Sequence, residues 1–114
     1  MPNRFSRICR ISGLLLSVVF PGMVFADLPS PARQAELLNL VRQDCGSCHG
    51  LRLEGGLGLP LTPQALREKS PEVLKQTILH GRGGTPMPPW NPFLTEAEAS
   101  WIVDILLKGL PDAH

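Results

Sequence analysis

The sequence predicts an all-α fold, four or five short helices around one ligand, and three observations predict it. Ser30-Pro31, Thr62-Pro63 and Ser70-Pro71 each place a helix-capping hydroxyl before a proline at the first helical position. Thr95 with Glu98 forms a capping box, and it opens a segment carrying Trp101, Ile102, Ile105 and Leu106 on one helical face. No buried strand of a βαβ pattern is visible.

Taken in order, the first helix runs from Pro31 to about Asp44. It contains no glycine and shows Leu37, Leu38 and Val41 as its apolar stripe. Gly50 to Leu61 carries Gly50, Gly55, Gly56, Gly58 and Pro60 and reads as a loop whose backbone can approach a flat ligand closely. Short helices follow over Pro63 to Lys69 and Pro71 to Leu79, with Gly81 ending the second. From Gly81 to Pro92 the glycines and prolines exclude any regular element. The last helix is capped by Thr95 and stops at Lys108-Gly109, with Pro111 beyond.

Residues 1–26 read as an export signal and not as part of the fold. Arg4, Arg7 and Arg10 form a positive region, Ile11 to Phe20 an apolar one, and Val24-Phe25-Ala26 a cleavage site before Asp27. The apolar run is interrupted by Ser12, Gly13 and Ser17, and it stops at Pro21-Gly22. It therefore falls short of the roughly 20 residues of a membrane span. The expected mature domain is residues 27–114, periplasmic, monomeric and without a stable membrane insertion.

The whole chain of 114 residues carries 11 Lys and Arg against 10 Asp and Glu. Losing the three leader arginines tips the mature domain to a small negative charge, which argues against a nucleic-acid partner. Among aromatics it retains only Trp90, Phe93 and Trp101, a thin supply for a core.

Cys45-Gly46-Ser47-Cys48-His49 is the stretch that carries chemistry. A C-x-x-C-H run fits covalent attachment of a c-type haem: two thiols reach two edges of one porphyrin, and the adjacent imidazole falls beneath the iron. A redox dithiol would follow a buried strand, and a zinc site would need a second spaced pair of ligands, whereas the mature chain has no other Cys and its remaining histidines, His80 and His114, have no ligand-pair spacing. Met87, the only methionine outside the leader, sits among prolines in a polar loop, a poor place for a core filler and a good one for a fixed distal ligand. His80 competes for that role, although the end of a helix explains an imidazole there without a metal. His114 is terminal. Arg52, Arg82 and Trp90 are candidate hydrogen-bond donors to haem propionates.

His49 after Cys45-Gly46-Ser47-Cys48, the Met87 loop and the capped last helix with Trp101 together resemble a class I cytochrome c over Asp27 to Lys108. Cys45 to Leu51, Gly55-Gly56-Leu57-Gly58, Ile78-Leu79-His80-Gly81 and Thr85-Pro86-Met87-Pro88-Pro89-Trp90 further resemble the small monohaem cytochromes encoded beside cytochrome cd1 nitrite reductase in denitrifying bacteria. That resemblance implies a carrier passing electrons to the reductase, or a factor in maturation or insertion of its haem d1. A generic electron carrier to another periplasmic or membrane oxidoreductase is the further alternative, and a haem gas sensor would need an open sixth position. No nucleophile, base and orienting group come together in the sequence, so no enzyme is expected. One motif departs from the class. Where class I members have Gly-Pro-x-Leu, with the proline carbonyl orienting the proximal histidine, this chain has Gly58-Leu59-Pro60-Leu61, which leaves open the carbonyl that does so here.

With so few large apolar side chains, the polypeptide depends on the porphyrin for its core. A Cys45→Ala, Cys48→Ala variant is expected to be largely unfolded, and far-UV circular dichroism of that variant checks it.

Overall fold

A computed structural model describes Gly22 and residues 28–111; the rest of the leader, its cleavage site and His114 lie outside the described residues. Within them the elements are α1 (Pro31–Leu40), a π-helical turn (Val41–Cys45), α2 (Gly46–His49), α3 (Pro63–Leu66), α4 (Pro71–His80) and α5 (Glu96–Lys108). This is the helical architecture expected, with no strand among the described residues.

Each capping hydroxyl occupies its expected position. Ser30, Thr62 and Ser70 accept the N–H groups of Arg33, Ala65 and Val73 at 3.2–3.3 Å, and in every case proline follows. At α5 the box is reciprocal: Thr95 Oγ1 accepts the Glu98 N–H at 3.2 Å, and Glu98 Oε2 accepts the Thr95 N–H at 2.8 Å. Each such bond satisfies a donor that the first helical turn would otherwise leave unpaired.

Two boundaries differ from expectation by more than one residue. The first helix does not stop near Asp44; α1, the π turn and α2 follow one another without a break to His49. Gly46 stays helical (φ −61°, ψ −28°) and donates to the Val41 carbonyl five residues back, so the widened turn accommodates a residue of low helix propensity. The helix ends where Gly50 turns to φ +91°. In the other direction, α3 ends at Leu66 instead of continuing to Lys69. Leu66 is its buried anchor, whereas Arg67, Glu68 and Lys69 are exposed, and Ser70, preceding Pro71, is pushed out of the helical region.

The core gathers on α5, which packs against α1, α3 and α4. Ala99, Ile102, Val103 and Leu106 of α5 are buried, as are Leu37 and Val41 from the first helix, Leu53 and Leu94 from loops, Leu66 from α3 and Leu79 from α4. Among the described residues the buried set contains no aromatic side chain; Trp90 and Trp101 only border it. No helix among the described residues is long and apolar enough to cross a membrane.

A polar tie joins the two terminal helices. Arg33 Nε donates to Glu98 Oε1 at 2.6 Å, so one carboxylate both caps α5 and holds α1 against it. These two bonds, Arg33 first, hold the Glu98 carboxyl below its ordinary value of 4.5. A carboxylate depressed in this way stabilises the fold at pH values above its ordinary range, and the contribution disappears as pH falls through the lowered value. Glu98→Gln is therefore expected to cost about 1 kcal/mol near neutral pH. Chemical denaturation should show the difference from the parent protein closing as the pH is taken down below the carboxylate range.

Candidate haem site

The site is built where the first helix ends. The last carbonyls of a helix have no partner within it, and here the glycine-rich loop supplies two. Gly58 N–H donates to the Cys48 carbonyl and Gly55 N–H to the His49 carbonyl, both at 2.8 Å. Leu61 N–H closes the loop onto the Leu53 carbonyl at 2.9 Å. Leu53 pays for this fold in backbone strain: it is a buried leucine at φ +56°, a left-handed conformation that a side chain disfavours.

Folding the loop back brings it against the His49 ring. His49 Nδ1 lies 2.6 Å from the Leu59 carbonyl oxygen. A carbonyl can only accept, so Nδ1 carries a proton, and the neutral imidazole that makes this contact presents its lone pair at Nε2, the tautomer that binds a metal. The question left by the displaced proline is thus answered by position. The orienting carbonyl belongs to the residue after Gly58, whatever its side chain, and Pro60 biases that residue away from helical backbone. Gly58 itself is indispensable here. A Cβ built on it would stand 2.7 Å from His49 Nδ1 and 2.8 Å from Cε1.

Cys45 and Cys48 are not joined in a disulfide; Cys45 is half-buried and Cys48 exposed. Burial, reinforced by the Asp44 carboxylate, pushes the Cys45 thiol up to about 11. It remains protonated at neutral pH, the opposite of what an attacking redox thiol needs. Two thiols and an imidazole within about one turn of a helix end are the donor set for a porphyrin. Leu57 and Leu59, 95% and 64% exposed on either side of Gly58, offer apolar surface of the kind a porphyrin face would cover. The residues present fit haem.

The other expected site residues lie elsewhere on the chain. Met87 is half-buried in the loop after α4, where Arg82 N–H donates to its carbonyl at 3.4 Å. Trp90 is half-buried with its ring edge-on to Phe93, centroids 5.9 Å apart, and its backbone N–H donates to the Ile78 carbonyl at 3.1 Å. Arg52 is exposed and pairs with Glu54 at 3.6 Å, a surface ion pair. Arg82 is exposed in the Met87 loop, and His80 is exposed at the last position of α4. Sequence reasoning missed the Gly55 and Gly58 amides and the Leu59 carbonyl. The density of glycines is their only signal in the sequence; it suggests room for a ligand, whereas at Gly58 the nearest neighbour is the histidine ring.

A helical chain whose first helix delivers Cys45, Cys48 and His49 to one end, closed by a loop that sets the histidine tautomer, is a c-type cytochrome of class I. The family model described as cytochrome C oxidase, cbb3-type, subunit III matches residues 32–105. Cytochrome c55X of Paracoccus denitrificans (strain Pd 1222) is 56% identical over 94 residues, covering 82% of this chain and 91% of that protein. The solved structure of the c-type cytochrome NirC superposes with a TM-score of 0.71 at 57% identity, covering 72% of this chain and 96% of that one. The dihydro-heme d1 dehydrogenase of Pseudomonas aeruginosa is 33% identical over 103 residues, 90% of this chain but 20% of that larger protein. The chain belongs to the c-type cytochromes that the family model describes and, within them, to the small cytochromes of the c55X and NirC type. Membership implies haem c as the cofactor.

Because the Gly58 hydrogen faces the His49 ring, Gly58→Ala is expected to displace that ring and destabilise the protein by about 1–3 kcal/mol. Gly83→Ala, where a Cβ would meet nothing within 4 Å, is the control and should stay within about 0.5 kcal/mol. Chemical denaturation of the two variants side by side checks both.

Proposed function

We propose that this protein is an exported electron carrier holding one haem c, with Cys45 and Cys48 as thioether anchors, His49 as proximal ligand and Met87 as distal ligand. The observation that carries the reading is the His49 ring, held by the Leu59 carbonyl in the tautomer that leaves Nε2 for iron. Haem supplies a one-electron ferric/ferrous couple. The chain's part is to anchor and orient: two thiols fix the ring, and the Leu59 carbonyl strengthens the imidazole as a donor. Met87 contributes a neutral, soft thioether that favours the reduced state. Arg52, Arg82 and Trp90 are the candidate donors to the propionates.

Residues 1–26 are a cleaved export signal in this reading, and the mature protein is a periplasmic monomer that docks its partner briefly through a small interface. The favoured partner is cytochrome cd1 nitrite reductase, following from the resemblance of the Cys45 to Leu51 and Met87 motifs to the cytochromes encoded beside it. A second reading has its own support. A segment like this chain makes up a fifth of a dihydro-heme d1 dehydrogenase, which suits a carrier serving haem d1 maturation.

Mixing the reduced protein with oxidised nitrite reductase in a stopped-flow instrument separates the two. Rapid reduction of the reductase is the expected result; no transfer to it, with transfer to a haem d1-modifying dehydrogenase instead, would favour the maturation role. Independently, Met87→Ala is expected to convert the ferric protein from low spin to high spin in its absorption spectrum. An unchanged spectrum would contradict Met87 as the ligand.

A further inference from the structure

The Met87 loop contains one hydrogen-bonding arrangement that the electron-carrier reading leaves unused. Residues 86, 88 and 89 are prolines, so Met87 is the only residue between Thr85 and Trp90 with a backbone N–H. That N–H donates to Thr85 Oγ1 at 3.4 Å. The same hydroxyl donates to the Arg82 carbonyl at 2.8 Å. Thr85 N–H also reaches the Arg82 carbonyl, at 3.1 Å, and Arg82 N–H returns to the Met87 carbonyl at 3.4 Å. A closed turn results in which the Thr85 hydroxyl, with one proton to give and a lone pair to share, links Arg82 to Met87.

On either side the segment is pinned to the end of α4. Gly81 lies so close to the loop that a Cβ on it would be 2.6 Å from the Met87 carbonyl oxygen, and Trp90 and Asn91 donate to the Ile78 and Leu79 carbonyls at 3.1 Å each. Between these pins the amide of Met87 is fixed by Thr85. The Met87 side chain has three rotatable bonds of its own, so its sulfur holds a position only as well as its backbone does.

We propose that Thr85 is a positioning residue for Met87: its hydroxyl fixes the backbone from which the thioether reaches iron, and so sets how readily another ligand displaces that thioether. The inference rests on Met87 being the distal ligand.

The test uses the matured ferric holoprotein and its Thr85→Val and Thr85→Ser variants. Three quantities are read: the near-infrared sulfur-to-iron charge-transfer band, the rate at which added imidazole replaces the sixth ligand, and far-UV circular dichroism. Valine keeps the shape of threonine without the hydroxyl. Thr85→Val is expected to keep its helical dichroism yet exchange its ligand roughly three- to ten-fold faster, as suits loss of exposed neutral hydrogen bonds. Thr85→Ser, which retains the hydroxyl, should exchange at the parent rate. Should the valine variant not fold, Thr85→Ala makes the same comparison.

Parent-like exchange in Thr85→Val, with the charge-transfer band present in the parent protein, overturns the proposal and leaves Met87 as ligand. Exchange as fast in Thr85→Ser as in Thr85→Val also overturns it, because a retained hydroxyl would then give the ligand no protection. If the parent protein lacks the band, the Met87 assignment fails and this proposal fails with it.

Discussion

The hydrogen bond between His49 Nδ1 and the Leu59 carbonyl is the constraint on which the site depends. An imidazole free to rotate has two tautomers and many orientations, and a metal selects among them at a cost in affinity. Here the choice is made by the polypeptide. The same loop that delivers the carbonyl also satisfies the Cys48 and His49 carbonyls at the helix end, so capping the helix and orienting the ligand are one structural event. The strained backbone of Leu53 and the close approach of Gly58 to the ring follow from the tightness of that closure.

Around this centre the fold is a frame of short helices with a modest aliphatic core. α5 is its spine, touching α1, α3 and α4 and tied to α1 by the Arg33–Glu98 pair. Because Glu98 also caps α5, the contact that holds the first helix in place is built into the start of the last. The first helix in turn carries the Cys45–His49 stretch, so its seat against α5 fixes where that stretch points. The absence of aromatic residues from the buried set of the described residues matches a protein in which a porphyrin would supply the large apolar body.

Much of this frame was legible in the sequence, because its signals are local. Ser30, Thr62, Ser70, and Thr95 with Glu98 each act within three residues of themselves, and every one caps the helix it foretold. The C-x-x-C-H spacing is likewise a local pattern. What escaped were features made by distant residues or by backbone. Nothing near Arg33 announces a partner 65 residues away. The Leu59 carbonyl has no side-chain signature at all, and the shift of proline from the expected position obscured the one clue available. The continuation of the first helix through Gly46 was missed because glycine suggests a break, whereas a π turn let this one remain buried within the helix.

The most direct test of the account is the protonation state of His49 in the ferrous holoprotein, observed by nitrogen-15 NMR of the labelled imidazole. The account predicts a slowly exchanging proton on Nδ1, hydrogen-bonded to the Leu59 carbonyl, with Nε2 shifted as the iron-bound nitrogen. An imidazole that binds iron through Nδ1, or whose Nδ1 proton exchanges freely with water, would contradict it.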